Sequence, residues 1–597
     1  MTTPAFPSRT KKPFGFSLLF LTLALASATV AHGQTPPDYS SGVISITDAN
    51  WATATVNGAI GTISGTAVVN ILTSRPARAI TIASVSGGTL NVGSSSSSRR
   101  SRVTIASLAG GSFRVLETGF VTVSAVAAPI TEFSVLGTVN LPNSLLTVDG
   151  SAVFGGAAVV NGGSINATSF SIASGIIRSA LVGSGSLTKL GPGLATLRGA
   201  NTFSGGTTIS GGTLAVTATT LVGNVNNNGT LLFDQDSNAP FAGVISGSGQ
   251  LVKTGVGALR LTGNNTYNAV TTISAGTLIV TTASLPGSPV VNNAVLQFNQ
   301  TRNGTFAGSI IGTGSLLKTQ TGNVVLSGLN SYTGGTTIDG GILVATTASL
   351  PAGGAVVNNA TLQFNQGGAS GEFDGLITGS GAVINGTSGD TVLTANNSYS
   401  GSTSVLRGQL YINGNQSSAN GAVSVASAAT LGGKGTVGGA TTIASGGKHR
   451  FGTTPTVDDV TPGTQTFVSS LTYEGGATAY WTLTDNTTDS TDYNRAVVGT
   501  TLTVDPTAVL NLSFDLTGST VDWSNAFWSS EKLDTAGWLV YNANTLSVSG
   551  DIFELNPPSR WIDSTGVSLQ AARPDYVFAF YQDSAEGDLY LNYIYSP

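Results

Sequence analysis

The chain has 597 residues, of which 40% are hydrophobic and 9% are charged, and 79 residues are glycine. This hydrophobic content excludes a disordered chain, and a formal charge of only -5 without a basic face argues against a nucleic-acid partner. The lack of cysteine excludes disulfides, thiolate metal sites and a cysteine nucleophile. The composition is typical of a regular β-structure with many turns.

The first 33 residues predict a secretory signal peptide. Basic residues at 9–12 precede an apolar run at 14–31, and small residues follow that run. We expect export with cleavage after Ala31 or Gly33, and no transmembrane span in the mature chain. An uncleaved anchor is the alternative.

Residues 34–180 alternate apolar and polar residues without an exact repeat. Examples are AIGTISGTAVVNIL at 59–72 and ARAITIASVSGGTLNV at 77–92. We interpret this region as degenerate N-terminal coils of the repeat structure that follows it. A run rich in serine and arginine at 94–102 predicts a protruding polar loop, and a binding patch for an acidic polymer is the alternative.

Residues 181–412 contain four copies of one sequence pattern. The copies run from 183 to 216, from 247 to 280, from 312 to 345 and, more loosely, from 379 to 412. A second phrase, NN-x-x-L-x-F-x-Q, lies between consecutive copies. The repeating unit is therefore continuous and about 65 residues long.

Within each unit the apolar residues alternate, as Leu214 and Val216 or Leu296 and Phe298 do, which places them on one face of a short strand. Glycine and asparagine bound the strands because tight turns need residues that tolerate positive φ. Such short strands bury their apolar face by stacking. We therefore predict a parallel β-solenoid with coils of about 20 residues and three or four coils per unit.

The four copies resemble the autotransporter-associated β-strand repeat of exported bacterial proteins. The first copy keeps the family pattern at Gly183, Gly185, Leu187, Lys189, Gly191, Gly193, Leu197, Gly199, Asn201, Phe203, Gly205, Thr207, Thr208, Ile209 and Leu214. The second copy has Ala269 and Val270 in place of a double glycine, and the fourth has Asn385 in place of the lysine. The resemblance implies an all-β, right-handed parallel β-helix, export, and a place at the cell surface or outside the cell.

The end of the array also resembles this family. The phrase at 429–447 is similar to one that commonly follows such repeats, so we interpret residues 413–450 as the final coils. A complete autotransporter ends in a β-barrel of roughly 250 or more residues, and too few residues follow Arg450 for one. We expect a relative without the C-terminal barrel, and a sequence that was cut short is the alternative.

Residues 451–597 differ from the repeats in composition. They hold five of the six tryptophans, namely Trp481, Trp523, Trp528, Trp538 and Trp561. We predict a β-rich C-terminal cap with these indoles in its core, because the open end of a β-solenoid exposes unpaired strand edges. A carbohydrate-binding face is the alternative, since flat indoles stack on sugars.

No residue pattern in the chain predicts catalysis. His449 lies in a glycine-rich stretch without a Ser–His–Asp context, so we expect a surface loop residue. The acidic residues of the repeats occupy no common position, although two could meet across coils. These acids are Asp234, Asp236, Asp339, Glu372, Asp374 and Asp390.

The densest acidic stretch is DNTTDSTDYN at 485–494. Its carboxylates, Asp485, Asp489 and Asp492, could offer oxygen ligands to Ca²⁺, but their spacing lacks the order of an EF-hand. A solvated loop is the simpler interpretation.

One lysine recurs at the same position of the first three copies, as Lys189, Lys253 and Lys318. We predict that these lysines form a sparse row along one edge of the solenoid. Charges on a sheet surface oppose aggregation, which explains such a row without a ligand.

These features predict an exported, non-enzymatic β-helical scaffold or adhesin-like protein at the cell surface or outside the cell. Surface polysaccharide or another surface component is the expected class of partner. An exported β-helical polysaccharide lyase or glycoside hydrolase is the alternative, because pectin-degrading enzymes also use parallel β-helices with charged residues on the outer face. We assign no catalytic, cofactor-binding or metal-binding residue.

Overall fold

The structure, a computed structural model, describes residues 36–46, 59–71, 80–93, 101–116, 119–452, 462–514, 518–548, 553–583 and 585–597. The predicted signal peptide at 1–33 and most of the polar run at 94–102 lie outside these residues. In the described part of the chain, no helix is long and apolar enough to cross a membrane. The chain divides into two compact units, residues 1–149 and 150–597.

The first unit consists of short strands that pair in parallel. They are β1 Val43–Ile46, β2 Ala59–Ile63, β3 Val68–Ile71, β4 Ile80–Val85, β5 Thr89–Val92, β6 Ser101–Ala109, β7 Ser112–Val115, β8 Gly119–Val123, β9 Val126–Ala128, β10 Glu132–Val135 and β11 Thr138–Asn140. One sheet has the order β1-β3-β5-β7-β10 and the other β2-β4-β6-β8-β11, with β9 beside β6. Buried residues stack in register, as Leu90, Phe113 and Phe133 do.

The strand β12 Leu145–Phe154 crosses the boundary between the units. The strands of the second unit up to the end of the fourth copy are β13 Val159–Asn161, β14 Ser164–Ile172, β15 Gly175–Ile177, β16 Ala180–Val182, β17 Ser186–Lys189, β18 Leu194–Leu197, β19 Thr207–Ile209, β20 Thr213–Val216, β21 Val225–Asn227, β22 Thr230–Asp234, β23 Ala239–Phe241, β24 Ile245–Ser246, β25 Gln250–Thr254, β26 Ala258–Leu261, β27 Thr271–Ile273, β28 Thr277–Val280, β29 Val290–Asn292, β30 Val295–Asn299, β31 Gly304–Phe306, β32 Ile310–Ile311, β33 Ser315–Thr319, β34 Val324–Leu326, β35 Thr336–Ile338, β36 Ile342–Ala345, β37 Val356–Asn358, β38 Thr361–Phe364, β39 Ser370–Phe373, β40 Ile377–Thr378, β41 Ala382–Asn385, β42 Asp390–Leu393, β43 Thr403–Val405 and β44 Gln409–Ile412.

The remaining strands are β45 Asn415–Gln416, β46 Val423–Val425, β47 Thr430–Gly433, β48 Thr436–Val437, β49 Thr441–Ile443, β50 Lys448–Phe451, β51 Thr464–Phe467, β52 Leu471–Tyr473, β53 Thr478–Thr482, β54 Arg495–Val504, β55 Val509–Ser513, β56 Trp538–Val548, β57 Glu554–Leu555, β58 Tyr576–Asp583 and β59 Asp588–Tyr595. Within the ranges that the structure describes, the helical segments are short. They are the 3-10 turns Thr347–Ser349, Ala526–Ser529, Asp534–Ala536 and Pro558–Arg560 and the α-helix Leu569–Ala572.

The strands of the second unit form five stacks, which we call sheets I to V. Sheet I contains β14-β17-β19-β21-β24, and sheet II contains β13-β15-β18-β20-β22-β25-β27-β29-β32. Sheet III contains β23-β26-β28-β30-β33-β35-β37-β40. Sheet IV contains β31-β34-β36-β38-β41-β43-β46-β49-β52-β54-β51-β48-β45, and sheet V contains β39-β42-β44-β47-β50-β53-β55-β57.

The core of the second unit is a column of stacked aliphatic and aromatic side chains. Leu231 pairs with Leu214 of the previous coil and with Leu251 of the next, and all three are fully buried. Burying a leucine contributes about 2 kcal/mol, so each coil is stabilised mainly by the coils beside it. The predicted all-β, parallel solenoid is confirmed.

One sequence repeat is longer than three complete coils of the solenoid, so it does not return the chain to the same sheet. After β17, the chain returns to sheet I three times, at β19, β21 and β24. The next strand, β25, occupies the position in the second copy that β17 occupies in the first, but it lies in sheet II. The later counterparts, β33 and β41, lie in sheets III and IV. Each repeat therefore makes three turns and then advances by one sheet, so equivalent residues of successive copies lie on different sheets.

Parallel pairing continues beyond residue 450. The strands β51 and β52 both pair with β54, and β53 pairs with β55. The pairing becomes antiparallel at the end, where β59 joins β56 to β58. The strand β59 covers the free edge of β56, and β58 pairs with the other edge of β59, which is the role expected of a cap.

Candidate functional site

The recurring lysines are buried, not exposed. The three lysines that recur in the first three copies, Lys189, Lys253 and Lys318, are fully buried. The Nζ of Lys318 donates to the carbonyl oxygens of Thr319 at 2.9 Å, Gln320 at 2.8 Å and Gly340 at 2.8 Å. The other two lysines each donate to three carbonyls at the corresponding positions. Burial lowers the pKa of all three ammonium groups, that of Lys318 to about 8.

The predicted row of surface lysines is therefore wrong, for two reasons. Strand alternation points each lysine inward, because it lies two residues after a buried leucine, as Lys253 follows Leu251. The shift by one sheet per repeat also places the three lysines in three different sheets. In the fourth copy, Asn385 replaces the lysine and keeps the contact with the next coil, since its Nδ2 donates to the carbonyl of Arg407 at 2.6 Å.

Buried amide side chains connect neighbouring coils. Asn265 accepts from the backbone N–H of Ile245 at 2.8 Å, 20 residues earlier, and donates to the carbonyl of Ser284 at 2.6 Å. Asn201 and Asn330 make the same pair of contacts in the neighbouring copies. Each of these side chains accepts from the N–H group of a strand residue in one coil and donates to a carbonyl outside the strands in another coil, so it satisfies two backbone groups.

A tyrosine and a threonine form a second recurring contact. The hydroxyl groups of Tyr267 and Thr271 lie 2.7 Å apart, and the equivalent pairs of the third and fourth copies lie 2.6 and 2.7 Å apart. The first copy has Phe203 at the tyrosine position. There the buried Oγ1 of Thr207 has no hydrogen-bond partner among the described residues.

Two surface grooves occupy equivalent positions of successive units. The first groove, with a volume of about 250 Å³, is lined among others by Thr196, Arg198, Thr217, Asp234, Asp236 and Ser237. The second groove, with a volume of about 580 Å³, is lined among others by Arg260, Thr281, Asn299, Thr301, Arg302 and Gln320. Alignment of the units places Arg260 at the position of Thr196 and Arg302 at that of Ser237. The same backbone shape therefore carries an acidic lining in one unit and a basic lining in the next.

A buried glutamine supports each groove. Gln300 accepts from the backbone N–H of Thr282 at 2.8 Å and donates to the carbonyls of Arg302 and Asn323, both at 2.9 Å. Gln235 makes the same type of contacts beneath the first groove. This glutamine is the last residue of the phrase NN-x-x-L-x-F-x-Q, and no role was predicted for it; its recurrence is the signal that could have identified it as a structural position.

The acidic residues of the repeats are not gathered in one place. Asp234 and Asp236 line the first groove together with Arg198. Asp339 accepts from Asn359, and Asp374 accepts from the backbone N–H of Gly353. The carboxylate of Asp390 accepts from Ser370 and Gln409, and Glu372 lies exposed in β39.

His449 was expected in a surface loop, and this expectation is wrong. It lies fully buried in β50, where strand alternation turns it inward together with Phe451. Its Nε2 lies 2.9 Å from the Oε1 of Gln465, and its Nδ1 is hydrogen-bonded to the hydroxyl of Tyr473, which contacts the hydroxyl of Tyr541 at 2.8 Å. Burial lowers the pKa of His449 to about 4, so the ring is neutral in the core.

The tryptophans of the C-terminal region lie in the core. All five described indoles are at most 2% exposed, so the alternative of a stacking face for sugars is wrong. The indole N–H of Trp528 donates to the Oδ1 of Asn486 at 2.6 Å, and that of Trp538 donates to the carbonyl of Thr487 at 2.7 Å. The acidic stretch at 485–494 therefore contacts this aromatic core through Asn486 and Thr487.

The carboxylates of that stretch contact backbone and hydroxyl groups of the stretch itself and of Thr520. Asp489 accepts from the N–H and the hydroxyl of Thr491, and Asp485 accepts from Thr520 at 2.5 Å. Within the described residues, no group of three histidine, aspartate or glutamate side chains has the geometry to hold a metal ion.

Comparison with known proteins identifies the repeats. Residues 187–216, 251–280, 316–345 and 388–412 match the passenger-associated-transport-repeat family. A segment of 114 residues is 45% identical to the protein described as adhesin BmaC autotransporter from Brucella suis biovar 1 (strain 1330). This segment covers 19% of the chain and only 3% of that relative. The chain thus carries autotransporter passenger repeats, which confirms the resemblance found in the sequence.

Proposed function

We propose that the chain is an exported, adhesin-like passenger that binds other components through the outer surface of its solenoid. The observation that carries this proposal is the pair of equivalent grooves, in which a constant buried scaffold presents different charged residues. The similarity of part of the chain to an autotransporter adhesin supports the same role.

The fold suits such a role because the core and the surface are separate. Buried leucines, lysines, asparagines and glutamines hold each coil, whereas the exposed residues of the groove linings, such as Asp236, Arg260 and Arg302, lie outside this set. Substitutions of these exposed residues are therefore expected to leave the coils intact. Several sites on one array also bind a polymeric partner together, which raises the overall affinity above that of one site.

The proposal is tested by producing the full chain in bacterial cells that do not adhere by themselves. We expect antibodies against the repeats to label intact cells and these cells to adhere more than vector controls. A matched control lacks residues 1–33 and is expected to stay inside. Surface exposure without any gain in adherence would contradict the adhesin-like role, and absence of labelling would contradict export.

A second candidate function is cleavage of a polysaccharide. It is favoured by the first groove, where Asp234 and Asp236 lie together with Arg198. Paired carboxylates are the groups that glycoside hydrolysis uses. This function predicts turnover of a glycan by the purified chain and its loss in the Asp234→Asn/Asp236→Asn variant, and a chain that turns over no member of a broad glycan panel would exclude it.

A further inference from the structure

We propose that the second groove binds acidic glycans, with Arg260 and Arg302 as cationic contacts and Gln320 as a neutral polar contact. This inference rests on the proposed adhesin-like function and names the class of ligand for one of its sites. Four features of the groove lead to it: its charge, the conformation of Gln320, the rigidity of its floor and its polar, open shape.

The charge of the second groove is unbalanced. Its lining contains two arginines and no carboxylate. Both arginines are exposed, and within the described part of the chain neither forms a salt bridge. The chain as a whole has a formal charge of -5, so this local excess of positive charge opposes the general trend.

The arginines belong to this unit and are not part of the repeat pattern. The first unit has Thr196 and Ser237 at the two positions, and the third has Val325 and Gly368. Coil stacking therefore does not require arginine there. An arginine at each position adds nothing to the core, but its guanidinium group presents N–H donors in a planar fork suited to bidentate contacts with carboxylate or sulfate groups.

Gln320 departs from the repeat in a way that costs stability. Its backbone φ is +64°, in the left-handed region, and the equivalent residues are Gly191 with φ +63° and Gly255 with φ +74°. A residue with a Cβ at such a position costs about 1 kcal/mol relative to glycine. Gln320 is exposed and lines the second groove, and a glycine at this position would offer no side chain to it. Strain of this kind is found where a side chain serves a function.

The floor of the groove is rigid. The carbonyl of Arg302 accepts from the buried Gln300, which also holds the N–H of Thr282. On the other side Gly322 packs directly against the backbone of Arg302, with no room for a Cβ. The backbone that carries this guanidinium is thus fixed before a ligand arrives, which lowers the entropy that binding costs.

The shape and lining favour a saccharide over an apolar ligand. The groove is open to solvent and is lined by hydroxyl, amide and guanidinium groups without a large apolar or aromatic side chain. Hydroxyl and amide groups match the hydroxyls of a sugar, and the arginines match its acidic substituents. Carboxylated and sulfated glycans share this chemistry.

The inference is tested by calorimetry with the full mature chain and three defined hexasaccharides: an oligogalacturonate, a heparin fragment and a neutral maltohexaose. We expect binding of at least one acidic probe that weakens as NaCl rises, with at least tenfold loss in Arg260→Ala/Arg302→Ala. The Thr196→Ala/Ser237→Ala variant, altered at the equivalent positions of the first groove, is expected to bind as the parent chain does. Gln320→Gly is expected to bind several-fold more weakly while it unfolds at a higher temperature.

The two acidic probes distinguish a carboxylate ligand from a sulfate ligand. The inference is overturned if the parent chain binds neither acidic probe, if maltohexaose binds equally well, or if the double arginine variant retains full affinity with a native circular dichroism spectrum. Any of these results leaves the adherence assay unaffected. In contrast, if cells that display the parent chain do not adhere more than vector controls, the proposed function itself is contradicted.

Discussion

The ammonium group of Lys318 lies 2.8 Å from the carbonyl oxygen of Gly340, one coil further along the chain. This contact shows how the repeat combines an apolar column with buried polar groups. The lysine is the penultimate residue of its strand β33, and its three acceptors are the carbonyl of the last residue of that strand, Thr319, and the carbonyls of Gln320 and Gly340, which lie between strands. A charged residue in a low-charge solenoid thus holds two coils together.

Replacement of this lysine tests that role. We expect Lys318→Met to lower the free energy of unfolding by about 2 kcal/mol, because three partly buried carbonyls lose their donor. The substitution also removes a buried charge, whose desolvation is unfavourable, and this gain offsets part of the loss from the three hydrogen bonds. Urea denaturation measures the change, with Lys448→Met, at a partly exposed lysine of β50, as the control. Equal stability of the two variants would show that the buried contacts contribute nothing.

The tyrosine–threonine contact gives a pair of opposite predictions. Phe203→Tyr is expected to raise stability by about 1 kcal/mol, since it offers a hydroxyl to the unpaired Oγ1 of Thr207. Tyr332→Phe is expected to lower stability by about 1 kcal/mol, because it removes the contact with Thr336. Thermal unfolding measures both. A loss of stability in both variants would mean that the first copy is packed for phenylalanine.

His449 predicts a pH dependence of stability. Its pKa is about 4 in the folded chain and has an ordinary value of 6.5. Between these values the unfolded chain binds the proton and the folded chain does not, so stability is complete above pH 6.5 and falls as the pH falls towards 4. The loss attributable to this group is about 3 kcal/mol. Comparison of denaturation curves of the parent chain and His449→Gln at pH 7 and pH 4.5 isolates it, and parallel losses in both would contradict the assignment.

Glycine at the close contacts between coils is a steric requirement. A Cβ on Gly314 would overlap the backbone of Ala294 in the previous coil, whereas a Cβ on Gly287 would be no nearer than 3.9 Å to another atom. Gly314→Ala is expected to cost about 3 kcal/mol through displaced coils, and Gly287→Ala less than about 1 kcal/mol. Hydrogen exchange of β33 and its neighbours locates the damage. Similar exchange rates in the two variants would show that neighbouring coils move apart to accept the added Cβ at little cost in stability.

The sequence carried enough information for the architecture and less for the site. Leu231, Leu251 and their counterparts alternate with period two, and that period alone predicts stacked strands with an apolar interior. The same alternation places Lys253 and His449 inward, but their polar chemistry suggested the surface instead. A buried polar side chain depends on acceptors supplied by other coils, and a one-dimensional pattern does not show these.

The grooves could not be predicted because they depend on the offset between repeat and coil. Arg260, Asn299 and Gln320 belong to different strands and turns, and only the stacking of coils brings them to one groove. The length of the sequence repeat likewise does not predict that each repeat advances by one sheet. It follows from the number of strands and turns in each unit, which is a property of the folded chain.

The stacking of parallel coils in register is the claim on which the rest depends, and the absence of cysteine allows a direct measurement. Gln297 and Leu317 are paired in adjacent strands, and both are partly exposed. Neighbouring strands lie about 4.8 Å apart, within the reach of a disulfide, and the next strand but one does not. We predict that Gln297→Cys/Leu317→Cys closes rapidly to a disulfide on mild oxidation while Gln297→Cys/Thr337→Cys stays reduced. A first pair that stays reduced, or a second pair that closes as fast, would contradict the parallel solenoid.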